Sequence, residues 1–333
     1  MQPARKGTIL RRRFMQTYLK SRPALVQLLL FLGIACSSLL IISGLGGILL
    51  SAITGIPLRD MGIYNGAKGT PAMIWNLRGL VVLQDFGLFL IPSLVYAKFA
   101  DAHPARYLGM RLPKHASMWI LGIAVLLVAV PLVEFTGLLN QRASFPDSVA
   151  RSIREMEESA KRMQLLMLAD RSIGNLLINI LLIGVLAGLS EELFFRGVVQ
   201  RILVRAFRSP WPGIVVTAAL FSFFHFEFYG FVPRLILGIL LGAAYWYSGS
   251  IWVAVVAHAL FNSIQLVAAW FHPELAGGET ITDMSALKLL PAAVISAGLT
   301  AWVVLRMKRS SDTSYQEVYG AEADPYSETN ELR

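Results

Sequence analysis

The sequence predicts an all-α fold, a polytopic membrane helix bundle of about eight transmembrane helices. Three observations lead there. Hydrophobic residues make up 55% of the 333 positions and charged residues only 15%, where a soluble domain carries about a quarter charged. Several apolar stretches approach or exceed the roughly 20 residues that span a bilayer as helix. The basic residues behind the net charge of +9 gather in the segments flanking those stretches, as the positive-inside rule describes. That distribution argues against a phosphate-binding face and so against nucleic acid as a partner. The lone cysteine, Cys36, excludes an intrachain disulfide.

Residues 1–24 hold Arg5, Lys6, Arg11, Arg12, Arg13, Lys20 and Arg22 and no acid, and read as a basic cytoplasmic N-terminus. The first apolar run is too long for a signal core, and no small-residue cleavage site follows it. Gly33 stands where a lipoprotein box before Cys36 usually has leucine, so the run reads as a retained anchor. Spans are expected at 25–52, 76–98, 118–140, 174–200, 211–227, 231–247, 250–271 and 286–306. Residues 25–140 thus hold three N-terminal helices, 174–271 a core of four, and 272–309 the last. Eight crossings put both termini in the cytoplasm. Arg106, Arg111 and Lys114, then Arg201, Arg205 and Arg208, then Arg306, Lys308 and Arg309, would lie on that side, as their charge requires.

Two segments differ. In the 141–173 connector, Val149, Ile153, Met156, Ala160, Met163 and Met167 recur at alternating steps of four and three. Glu157–Lys161 and Glu158–Arg162 have i,i+4 spacing. This predicts an amphipathic helix on the membrane or over the bundle. Residues 310–333 carry Asp312, Glu317, Glu322, Asp324, Glu328 and Glu331 with little apolar content and read as a disordered acidic tail. Gly238 and Gly242 have the spacing that lets helices approach closely.

Ionisable residues inside spans are the informative exceptions, because each is expensive there unless paired or facing water. Arg78 and Asp85 share a face of span two and read as a structural pair. Span four ends in Glu191, Glu192 and Arg196; span five holds His225 and Glu227; span seven holds His258 and Asn262. At about 100° per residue, Glu192 and Arg196 share a helical face and Glu191 points elsewhere. Glu192 and Arg196 are therefore spaced for a supporting ion pair, leaving Glu191 unpaired. His103, His115 and His272 fall in loops and read as solvated; Phe221, Phe223 and Phe224 read as core or lipid-facing aromatics.

Glu191, His225, His258 and Asn262 come from three spans and their chemistry suits amide hydrolysis. A carboxylate takes a proton from water, a histidine holds that water or moves the proton, and histidine with asparagine donates to a developing oxyanion. The same Glu191, His225 and His258 also form a zinc-type donor set, although no HExxH is present. At "EELFFR", "FSFFH" and "HALFN" the sequence resembles the CPBP family of intramembrane proteases, which process CAAX proteins and bacteriocins. The resemblance covers roughly residues 174–271. It implies that Glu191 and His225 activate water, that His258 and Asn262 stabilise the oxyanion, and that Glu192 and Arg196 support the structure. A glutamate mechanism is expected, with a divalent metal such as zinc left open. The expected partners are the lipid bilayer and a membrane-associated peptide or protein substrate, prenylated or carrying a leader. The rival reading is a non-catalytic transporter, scaffold or immunity protein built on the same polar residues. The family's spread favours a bacterial plasma membrane, with the endoplasmic reticulum as the alternative.

Overall fold

The computed structural model describes residues 19, 22–62, 69–272 and 286–319. Most of the basic N-terminus, the 273–285 link and the acidic residues Glu322, Asp324, Glu328 and Glu331 lie outside them. Among the described residues all regular structure is helical. In chain order the helices are α1 (Ala24–Thr54), α2 (Pro71–Ala100), α3 (Ser117–Asn140), α4 (Asp147–Leu168), α5 (Ile173–Phe207), α6 (Pro210–Phe223), α7 (Phe231–Ser248), α8 (Ile251–Phe271), α9 (Ala286–Arg309) and α10 (Tyr315–Tyr319). Seven segments are long and apolar enough to cross a membrane: α1, α2, α3, α5, Phe228–Ser248 with α7, α8 and α9. The chain is a polytopic integral membrane protein.

The eighth expected span is not of that length. Helix α6 has 14 residues, about 21 Å at 1.5 Å per residue, against about 30 Å of hydrocarbon. It stops at Phe223, and Phe226 adopts φ +54°, a left-handed conformation that no α-helix continues through. His225 and Glu227, expected inside span five, therefore sit in the turn beyond α6. At its other end α6 joins α5 through Arg208, also left-handed at φ 51°.

Helix α5 is the axis of the core. It runs 35 residues and contains two π-helical stretches, Ile180–Leu186 and Leu193–Gln200. Its aromatic pair Phe194–Phe195 packs against Phe31 of α1, Phe89 of α2 and Phe221 of α6, with ring centroids 4.6–6.0 Å apart. Opposite this, α3, α7, α8 and α9 share a second apolar core around Val125, Leu241, Val253 and Val303.

The amphipathic connector is the helix α4. Its Met163, Leu166 and Met167 pack with Leu77 of α2 and Ile183 of α5, so it lies over the bundle. Glu158 and Arg162 approach to 3.8 Å, while Glu157 turns toward the α6–α7 loop. The tail differs from its expected disorder as far as it is described. Residues 315–319 form a helix whose Tyr319 is buried: its hydroxyl donates to the Arg201 carbonyl at 3.1 Å and its ring lies 5.2 Å from the Arg201 guanidinium. An aromatic pair in a polar stretch is enough to dock it. His115 is exposed, as expected, and lies 3.1 Å from the equally exposed Asp312.

Candidate active site

Close approach of α5 and α8 builds the site. Gly184 and Gly188 face Ala259 and Ser263, and a Cβ on Gly188 would lie only 3.1 Å from the Ala259 backbone nitrogen. With no side chain in between, the next turn of α5 brings Glu191 and Glu192 against His258. Glu192 is fully buried, and its Oε1 accepts from Arg196 Nη1 at 2.7 Å and from His258 Nδ1 at 2.9 Å. Arg196, also fully buried, donates through Nη2 to the Gly238 carbonyl at 3.0 Å and stacks 4.7 Å over the Phe221 ring. One turn on, Gln200 repeats the arrangement by donating to the Gly242 carbonyl at 3.1 Å. Gly238 and Gly242 thus expose α7 carbonyls to α5, which is what their spacing does here.

Glu191 lies on a different face, as the 100° step requires, and keeps some exposure. Its Oε2 is 3.9 Å from His258 Nε2. His225 completes the group from the turn after α6. Its Nδ1 donates to the Phe221 carbonyl at 2.8 Å; a carbonyl only accepts, so Nδ1 carries a proton, and in the neutral ring Nε2 keeps a free lone pair. Glu191 and His258 both act electrostatically on this ring. Phe221 separates the two imidazoles, 4.8 Å from His225 and 6.0 Å from His258, edge to face. Asn262, one turn beyond His258, donates through Nδ2 to the Ile183 carbonyl at 3.2 Å, which leaves its second amide hydrogen.

Arg78 and Asp85 do not pair. Seven residues separate them by two turns, about 10.5 Å along the axis, too far for contact on one helix. Arg78 instead donates to Asn175 at 2.8 Å and Asn179 at 3.0 Å and lies over Trp75, linking α2 to α5. Asp85 accepts from Ser190 at 2.9 Å, the residue before Glu191, and its Oδ2 is buried with no partner among the described residues. A third carboxyl group therefore stands beside the site. Sequence reasoning missed it, and missed Phe221 as the ring between the histidines, although the motif "FSFFH" contained that signal.

A metal would need three donor side chains aimed at one point. Among the described residues no group of three or more His, Cys, Asp or Glu is so placed, and His258 has committed Nδ1 to Glu192. As arranged, the described donor set does not fit a metal.

No curated protein and no solved structure matches the chain. Residues 173–264, just over a quarter of the chain, match the family model described as type II CAAX prenyl endopeptidase Rce1-like. That segment contains Glu191, Glu192, Arg196, His225, His258 and Asn262, so the residues that build the site fall within the stretch similar to that family.

Proposed function

We propose that the protein is an intramembrane endopeptidase in which Glu191 and His225 activate water against a peptide bond. The approach of Glu191 to His258, with Phe221 packed against both His225 and His258, carries this reading. Glu191 takes a proton from water, and the free Nε2 of His225 holds that water in line. The new oxygen–carbon bond turns the substrate carbonyl into an oxyanion. His258, its ring held through Nδ1 by Glu192, turns Nε2 toward the oxyanion, and Asn262 donates its second amide hydrogen. Collapse of the intermediate breaks the carbon–nitrogen bond, and the proton held by Glu191 passes to the leaving amine. Glu192 and Arg196 fix the His258 ring. The donor arrangement supports a mechanism without metal, which metal analysis of the active preparation tests.

The family match supports a CAAX-type endopeptidase in general terms, with a membrane-associated peptide as substrate. Both termini are assigned to the cytoplasm. The clustering of Arg201, Lys114, His115, Asp312 and Tyr319 at one end of the bundle supports that orientation. The test uses wild type, Glu191→Ala and His225→Ala reconstituted in liposomes with an internally quenched peptide ending in a farnesylated CAAX sequence. Cleavage by wild type and loss in both variants is expected. Equal cleavage by correctly inserted variants refutes the roles assigned, and ion flux without cleavage favours a transporter.

A further inference from the structure

His225 lies in the α6–α7 loop, and that loop is held from outside the Rce1-like segment. Asn140, the last residue of α3, is 9% exposed and grips the loop twice. Its Nδ2 donates to the Phe228 carbonyl at 2.8 Å and its Oδ1 accepts from the Val232 N–H at 2.8 Å. Glu157 of α4 adds a third hold, its Oε1 accepting from the Tyr229 N–H at 2.9 Å. Between them Phe145 packs edge-on against Tyr229 at 5.7 Å. Within the loop itself, Glu227 pairs with Arg234, and Gly230 N–H bonds the Glu227 carbonyl at 3.2 Å.

Phe226, the residue after His225, has φ +54°. A bulky side chain stays in that region only where its surroundings over-determine it. The three bonds from Asn140 and Glu157 begin two residues later and fix the backbone on that side, while the Phe221 carbonyl fixes the ring on the other. We propose that Asn140 and Glu157 are positioning residues for His225, with residues 140–157 acting as a strap that sets where its Nε2 points. This rests on the reading of His225 as a water-activating group. It also gives the amphipathic helix α4 a task that its own face pattern does not explain.

The test uses the full chain in liposomes with the same farnesylated quenched peptide, comparing Glu157→Ala, Glu157→Gln and Asn140→Ala with Glu158→Ala as control. A second readout needs no substrate: the rate at which diethyl pyrocarbonate modifies His225, followed by peptide mass spectrometry. Glu157→Ala should lower kcat about 10- to 100-fold, the scale of a remote misplacement near 1 Å, with KM nearly unchanged. It should also change the modification rate of His225. Glu157→Gln, whose amide oxygen still accepts from Tyr229, should recover most of both, and Glu158→Ala should match wild type. Wild-type kcat in Glu157→Ala and Asn140→Ala overturns the proposal, as does a Glu157→Gln variant no better than alanine. If wild type cleaves nothing, the endopeptidase reading falls by itself, and the His225 modification rate alone decides whether the strap positions that ring.

Discussion

Replacing Arg196 by methionine should damage this protein more than any surface change, and the structure sets the size. The Glu192–Arg196 pair is 2.7 Å long with both side chains fully buried. Removing one partner of such a pair leaves an uncompensated charge and destabilises by about 3–5 kcal/mol. The variant also loses the bond to the Gly238 carbonyl and the stacking on Phe221, so the upper half of that range is expected. Glu192→Leu/Arg196→Leu removes both charges and should recover most of the loss. Recovery stays incomplete because His258 Nδ1, in a side chain only 8% exposed, then has no acceptor, which costs about 1–3 kcal/mol. Unfolding in mixed micelles on titration with dodecyl sulfate measures all three proteins. Arg196→Met within about 1 kcal/mol of wild type, or a double variant no better than the single one, would show that the pair does not neutralise itself as argued.

Three further outcomes follow from other contacts. Gly188→Val should push α8 from α5 at the Ala259 contact, destabilising by about 1–3 kcal/mol and abolishing peptide cleavage, whereas Gly174→Val, with open space around it, should leave cleavage unchanged. Asn262→Ala should lower kcat by about 100- to 1,000-fold, the scale of one lost oxyanion donor, with little change in KM; steady-state cleavage rates decide it. Arg78→Met should lower stability through its lost bonds to Asn175 and Asn179 while the folded fraction keeps wild-type kcat, because Arg78 touches none of the site residues.

Helix class and most spans were legible because an apolar run of 20 or more residues leaves a chain in lipid few alternatives. The Glu192–Arg196 pair was legible for a related reason: i,i+4 geometry is local and needs no knowledge of neighbours. What failed were inferences that depend on a second element. Sharing a face of α2 said nothing of which helix Arg78 and Asp85 would meet, and they meet Asn179 and Ser190 instead. The stop of α6 was illegible because "FHFEF" contains neither glycine nor proline, and the left-handed Phe226 is imposed by its surroundings. His258 bonding to Glu192, alongside its approach to Glu191, likewise depended on how α8 seats against α5.

The short helix α6 bears on how a turn inside the bundle is held in place. A hairpin tip reached after about 21 Å ends about 9 Å short of a full hydrocarbon crossing. The backbone of residues 224–227 is no longer helical there, and at such depth irregular backbone persists only against protein or in a wet cavity. The loop meets the first of these conditions through Asn140 and Glu157, so the shortfall hands the placing of His225 from its own helix to its neighbours.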